Sequence, residues 1–160
     1  MRTLLLLMCI LLAGCAPQPI TPAPTSLSST ASEAQGVLIR FFALLDAKQY
    51  IAADSLYGGD YEQLQIFSSG ATDHAAMWKS ACELAGLQCL KVRTATFKNF
   101  QGDTYIFQVE FSNADGSLFV LGPCCGADET EMPPVSQFEY HVAQTGDGNF
   151  RVMDLPPYIP

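Results

Sequence analysis

The chain has 160 residues and is acidic, with 8 basic and 16 acidic residues, a formal net charge of −8 and 49% hydrophobic residues. A negatively charged surface is repelled by phosphate backbones and anionic headgroups, so this balance argues against nucleic-acid binding. The length suits one domain with a single core behind a short N-terminal segment.

The N-terminus has the pattern of a secretory signal. An apolar run from Leu4 to Ala13 follows Arg2, and it is shorter than the about 20 residues that a membrane span requires. The run ends in Leu12-Ala13-Gly14-Cys15, which resembles the bacterial lipobox, whose Cys is lipidated and becomes the first mature residue. We therefore expect a signal peptide over residues 1–14 and an exported protein. Acyl chains on Cys15 would hold it to the cell membrane or outer membrane, facing the periplasm or the exterior. An ordinary signal peptide with an incidental Cys is the alternative.

A spacer follows the lipobox. Residues 16–32 contain four prolines, many hydroxyl side chains, no charge and no apolar period. Such a segment buries too little surface to offset the entropy of ordering it. We expect a flexible linker over residues 15–32 and one folded domain over residues 33–160.

The domain opens with helical patterns. Ser32-x-x-Gln35 has the form of a capping box, and the apolar residues behind it recur at spacings of three and four as far as Leu45. A second, shorter helix is predicted from about Tyr50 to Leu56, ending at Gly58-Gly59.

Two more helical segments are predicted before the pattern changes. Residues 61–67 allow one or two turns. Residues 73–85 predict a helix that buries Met77, Ala81 and Leu84, and Gly86 stops it. Trp78 is expected in the core beside Met77.

From Leu90 onward the apolar period changes to two, which predicts antiparallel strands. The predicted strands are Leu90–Thr96, Tyr105–Phe111, Leu118–Leu121, Phe138–Val142 and Phe150–Leu155. The third is apolar throughout, so we expect it to be buried on both faces. Helices followed by strands predict an α+β fold, with N-terminal helices packed on a curled antiparallel β-sheet.

The stretch VLIRFFALLDAKQYIAADSLY, residues 37–57, resembles the opening of a cone-shaped α+β fold. Nuclear transport factor 2, ketosteroid isomerase and scytalone dehydratase share that fold, and the resemblance extends over residues 32–155. Residues 73–92 and 118–138 look like uncharacterised bacterial lipoproteins of the same superfamily. The resemblance implies a cone whose open end holds an apolar ligand. The expected wall residues are Phe41, Trp78, Tyr105, Phe107 and Tyr140.

The isomerases of this superfamily use a Tyr on the first helix and an Asp just after the second. The Tyr position falls on Phe41, which has no proton to donate, and Asp60 is the nearest acid to the second position. We therefore expect a non-catalytic domain that binds a small apolar ligand or an envelope protein. The alternative is an isomerase- or dehydratase-type enzyme with acid/base residues in the cone.

The remaining polar candidates are interpreted as surface groups. His141 alternates with the apolar Tyr140 and Val142, and Gln108 and Glu110 lie on a face of the same kind. His74 is expected in the first turn of its helix. No catalytic, cofactor-binding or metal-binding residue is assigned.

Four cysteines follow the lipobox, and an exported protein uses such cysteines as disulfides. Gly86 should end the helix between Cys82 and Cys89, so that Cys89 folds back and pairs with Cys82. This pairing leaves Cys124 and Cys125 for each other, although two crossed pairings stay open. The spacing of the acids that follow Cys125 fits no calcium loop. We expect a staple that shapes a binding rim, rather than a metal site.

Overall fold

The structure is a computed structural model that describes residues 28–68 and 70–159. The predicted signal peptide, Cys15 and the linker as far as residue 27 lie outside the described residues. The helices are α1 (Ser29–Asp46), α2 (Tyr50–Asp54), α3 (Tyr61–Ile66) and α4 (His74–Glu83), and the strands are β1 (Lys91–Gln101), β2 (Thr104–Ser112), β3 (Phe138–Gln144) and β4 (Phe150–Val152).

The four strands form one open antiparallel sheet in the order β1-β2-β3-β4. Each strand pairs with the next one in the chain, and β1 carries two register shifts, between Val92 and Thr94 and between Phe97 and Asn99. Helix α1 contacts all four strands. The α+β class predicted from the sequence is therefore confirmed, with helices and a four-stranded antiparallel sheet that is not closed.

Helix α1 begins earlier than the sequence predicts. Ser28 is its N-cap, and the Ser28 Oγ accepts a hydrogen bond from the Ala31 N–H at 3.3 Å. The capping box at Ser32 is therefore wrong, and residues 29–32 belong to the helix rather than the linker. Gln35 instead donates through Nε2 to the carbonyl oxygen of Ala95 in β1, at 2.5 Å. Several neighbouring Ser and Thr residues compete for the cap, because each has a hydroxyl suited to it.

Aromatic side chains fill the space between α1 and the sheet. Phe41 and Phe42 are fully buried on α1. The Phe42 ring centroid lies 4.8 Å from that of Phe111 and 5.0 Å from that of Tyr140. The Phe41 ring packs edge-on against Trp78 at 5.6 Å. The interior is thus a close-packed apolar core, in which removal of one ring leaves a cavity.

The third predicted strand does not form. Residues 118–121 make only isolated bridges, Ser112 with Leu118 and Leu121 with Val135. Phe119 is buried, but Leu118 and Val120 are exposed, so the expectation of burial on both faces is wrong. Alternate side chains of an extended segment point to opposite sides, and only one side of this segment faces the core.

The segment after α2 also differs from the prediction. Helix α2 ends at Asp54 rather than Leu56, and Tyr57 forms a parallel bridge with Val152. The Gly58 N–H donates to the Val152 carbonyl at 2.9 Å. A Cβ on Gly59 would lie 2.0 Å from the carbonyl oxygen of Met153, so this close approach requires glycine. The Gly-Gly pair therefore docks the chain beside β4, which itself ends at Val152 and not at the predicted Leu155.

Candidate functional site

A polar cluster joins three of the helices. The Asp54 Oδ1 accepts hydrogen bonds from the Tyr61 hydroxyl at 2.7 Å and from the Trp78 Nε1–H at 3.2 Å. The Nδ1 of His74 lies 3.5 Å from Oδ2 of Asp54, and the His74 ring stacks on Tyr61 with centroids 3.7 Å apart. Burial and the hydrogen bond to Asp54 raise the pKa of Tyr61. The cluster therefore satisfies polar groups at the edge of the core, and none of its members lines a described cavity.

His141 forms a second acid–histidine group on the outer face of the sheet. Its Nδ1 lies 3.1 Å from Oδ2 of Asp154, and its backbone N–H donates to the same oxygen at 2.5 Å. The Nε2 of His141 is 3.7 Å from Oε1 of Glu139. This arrangement ties the chain after β4 to β3, and it too lies outside the described cavities.

Glu110 and Gln108 link β2 to β1 and to Gln137, the residue before β3. Glu110 accepts from the Gln137 Nε2 at 3.1 Å and from the Thr94 hydroxyl at 3.0 Å, and these hydrogen bonds lower the pKa of Glu110. Gln108 accepts from Lys98 and donates to Gln137. Asp60, the nearest acid after α2, caps α3 by accepting from the Glu62 N–H at 2.7 Å. Each of these polar groups thus has a structural partner.

The five expected wall residues lie in the core of the domain. Phe41, Trp78, Tyr105, Phe107 and Tyr140 are all buried in the core, and none of them lines a described cavity. The Tyr140 hydroxyl donates to the carbonyl oxygen of Leu155 at 3.2 Å, and burial raises the pKa of Tyr140. The sequence identified the core correctly but assigned it to a pocket, because apolar periodicity marks burial and does not distinguish a filled interior from an open one.

An apolar groove lies instead between α2 and α4. It has a volume of about 540 Å³, and it is lined by Lys48, Gln49, Tyr50, Ile51, Ala52, Ala75, Ala76 and Lys79. Ile51 is 81% exposed, although it is a large aliphatic residue. The small side chains of Ala52, Ala75 and Ala76 leave the space that the groove occupies. This feature, called here the α2–α4 groove, has the size of a small-molecule site.

Polar contacts position one end of the α2–α4 groove. Lys48, in the turn before α2, has a φ of 58° and pairs through Nζ with Oε1 of Glu83 at 3.4 Å. The Tyr50 hydroxyl donates to the same Glu83 oxygen at 3.0 Å. Burial and this hydrogen bond raise the pKa of Tyr50 to about 12, and the bond lowers the pKa of Glu83. Glu83 thus holds both Lys48 and Tyr50 in place.

Two further cavities are more polar. One, of about 640 Å³, adjoins the α2–α4 groove and runs along the turn that contains Cys82 and Cys89. The other, of about 280 Å³, lies between α1 and β4 near Arg151. Both have acidic residues in their lining, whereas the charged residues that line the α2–α4 groove are cations.

A disulfide links Cys82 and Cys89, the pair that the position of Gly86 predicts. Helix α4 ends at Glu83, and Gly86 has a φ of +83° that turns the chain back. A Cβ on Gly86 would lie 2.3 Å from the carbonyl oxygen of Ile159. Both the turn and the close approach therefore require glycine.

Cys124 and Cys125 are free thiols in the structure, so the bond expected between them is absent. Their Sγ atoms are 2.7 Å apart, whereas a disulfide requires about 2.05 Å. The turn forms without that bond, because Cys125 and Gly126 have φ of 62° and 91° and the Ala127 N–H donates to the Cys124 carbonyl. Asp128 binds the next turn by accepting from the Thr130 and Glu131 N–H groups. This loop is a self-capped surface segment.

Within residues 28–68 and 70–159, no three His, Cys, Asp or Glu side chains converge as a metal site would require. Of the helices in the same ranges, none has the length and apolarity needed to cross a membrane.

The α2–α4 groove was not predicted from the sequence. Helix α2 buries Tyr50 and Ala53, so Ile51 and Ala52 lie on its other side, and Ala76 is exposed on α4. One signal is present: Ile51 falls outside the buried stripe of a very short helix, three residues after Lys48.

No protein-family model, curated protein or solved structure matches this chain. The resemblance to the nuclear transport factor 2 superfamily therefore stays a prediction that rests on residues 37–57.

Proposed function

We propose that the chain is an exported bacterial lipoprotein, anchored through lipid on Cys15, whose domain binds a ligand without catalysis. The ligand site in this proposal is the α2–α4 groove. We also propose that the fold is a filled member of the cone-shaped superfamily, since its helices and antiparallel sheet follow the same order.

One observation carries the binding proposal: the interior is packed with aromatic rings, while the concave apolar surface lies outside it. Ser68 is the one buried polar residue among those described, apart from the core tyrosines. An enzyme of isomerase or dehydratase type needs titratable groups converging in a pocket. The acid–histidine pairs of Asp54 and Asp154 lie away from the described cavities. Lys48, Tyr50 and Glu83 do meet at a cavity, but they are bonded to one another, so the geometry supports binding better than acid/base catalysis.

Native mass spectrometry of the full chain, purified in a mild detergent, tests the groove as a ligand site. We expect a bound mass on the parent protein that is lost in Ala76→Trp, because the indole would fill the groove. Ala43→Trp is the matched control, since Ala43 is also exposed on a helix but does not line the groove. A bound mass that survives Ala76→Trp, or its absence from the parent, would contradict the proposal.

A further inference from the structure

We infer that the α2–α4 groove binds a long-chain carboxylate, with its single acyl chain against the apolar floor and its carboxylate at Lys79. This inference rests on the proposed function and specifies its ligand. It requires an apolar floor, a cation without a partner and room for one chain.

The charge of the groove favours an anion. The residues that line it include two charged ones, Lys48 and Lys79, and both are cations, although the chain has a formal net charge of −8. Lys48 is already paired with Glu83 at 3.4 Å. In the described part of the chain, no carboxylate lies within 4 Å of the Lys79 ammonium group. Lys79 interacts with Glu83, one turn along α4, only at longer range, so it is the lining cation whose ammonium group can bind a ligand headgroup directly.

The floor of the groove favours an unbranched apolar chain. Ala52, Ala75 and Ala76 present small, smooth surfaces, and the exposed Ile51 borders them. An acyl chain lying along these residues would remove both its own surface and that of Ile51 from water, which is the dominant favourable term in such binding. No acidic residue lines the groove itself, and the nearby carboxylate of Glu83 is paired with Lys48 and Tyr50 at one end.

The dimensions favour one chain over two. The volume of about 540 Å³ lies within the usual range of small-molecule sites. The paired chains of a phospholipid need twice the space of one acyl chain, so a site of this volume favours the single chain.

Photo-crosslinking tests the inference on the full chain held in nanodiscs of zwitterionic phosphatidylcholine. The probe is palmitic acid with a diazirine in its chain, and labelled peptides are mapped by mass spectrometry. We expect labels within residues 49–52 and 75–79. Lys79→Glu should weaken labelling by about fivefold, the scale of one exposed ion pair. Lys98→Glu, which changes the net charge equally but lies outside the groove, should leave labelling unchanged.

Two further probes and one variant sharpen the result. A diazirine-bearing fatty alcohol of the same length should label weakly, because it lacks the carboxylate, and Ala76→Trp should abolish labelling by the acid. The inference would be overturned if Lys79→Glu left the labelling unchanged, if the alcohol labelled as strongly as the acid, or if the labels mapped to other residues. Stronger labelling of the same peptides by diazirine phosphatidylglycerol would overturn it in favour of a membrane phospholipid.

The failure of this inference is distinguishable from that of the proposed function. If palmitate fails to label the groove while a bound mass is still lost in Ala76→Trp, the ligand class is wrong and the binding site stands. If neither is observed, both fail. Dimers cross-linked through Ile51 would also overturn both, because a second copy of the chain would then cover the groove.

Discussion

The buried indole of Trp78 donates its Nε1–H to the carboxylate of Asp54 across 3.2 Å. The same Asp54 oxygen accepts the Tyr61 hydroxyl at 2.7 Å. One carboxylate therefore connects helices α2, α3 and α4. This connection holds α2 and α4 side by side, and so it supports the groove between them.

Replacing Asp54 with Leu should destabilise the fold, because it leaves the buried indole N–H of Trp78 without an acceptor. The expected loss is about 1–3 kcal/mol in the free energy of unfolding. Urea denaturation followed by Trp78 fluorescence measures it. Asp54→Asn keeps an acceptor oxygen and should lose less. Equal stability of the parent and Asp54→Leu would show that the hydrogen bond is dispensable.

Phe41→Ala should cost about 3–5 kcal/mol in the free energy of unfolding, as for other fully buried phenylalanines. The ring packs against Tyr57 and Trp78, so its removal leaves a cavity at the centre of the core. Ile39→Ala on the exposed side of α1 is the matched control and should lose much less. A Phe41→Ala midpoint within error of the parent would refute the packing described for α1.

Reduction of the Cys82–Cys89 disulfide should lower the stability by about 2–3 kcal/mol, since the bond closes a short loop in the unfolded chain. Thermal unfolding with and without a phosphine reductant measures the change. The double variant Cys124→Ser and Cys125→Ser should show the same reductant effect, because those thiols are free in the structure. Alkylation mapping without reduction should modify Cys124 and Cys125 but spare Cys82 and Cys89.

Asp147 should titrate far below an ordinary aspartate. Hydrogen bonds from the Thr145 hydroxyl and from the side chain and N–H of Asn149 lower its pKa from 3.8 to about 2. Because the folded pKa is depressed, the stabilisation is fully present above the unfolded value. It is lost as the pH falls from about 4 to about 2. Carboxyl NMR should give the low midpoint, and Asp147→Asn should flatten the stability profile in that window. A midpoint near 3.8 would exclude these hydrogen bonds in solution.

Cys15→Ser should release the full chain from the membrane fraction, because the variant has no thiol to carry lipid. Carbonate extraction and immunoblotting of the fractions measure the distribution. Cys9→Ser, within the same apolar run, is the control and should stay in the membrane fraction. Membrane partitioning of Cys15→Ser equal to that of the parent would refute lipid anchoring.

Local signals in the sequence predicted most of the helices and the class of the fold. The spacing of Leu38, Phe41 and Leu45 predicted the buried stripe of α1, and Gly86 predicted the turn after α4, because these features depend on residues close in the chain. The prediction of a strand failed at residues 118–121, because this apolar segment forms only isolated bridges and no continuous ladder with a neighbouring strand. Strand pairing depends on contacts with residues far away in the chain, and the alternation of apolar residues within one segment carries no information about those contacts.

The candidate site was less predictable than the fold. The groove depends on how α2 packs beside α4, and that packing depends on Asp54 meeting Trp78, 24 residues later. No local sequence pattern around either residue predicts this hydrogen bond. Apolar periodicity correctly placed Phe107 and Tyr140 inside, but whether an interior is open or filled depends on the summed volumes of side chains from several elements.

The two edges of the sheet are guarded in different ways against pairing with strands of other molecules. The register shifts of β1 distort a ladder that a foreign strand could otherwise extend, and Lys91, Arg93 and Lys98 place charge along it. Such bulges and charges are known devices against edge-to-edge aggregation. At the opposite edge, the Val152 carbonyl already accepts a hydrogen bond from the Gly58 N–H, so it is not free to pair with a foreign strand. Many copies of this domain crowded on one surface would therefore resist polymerising through their sheets.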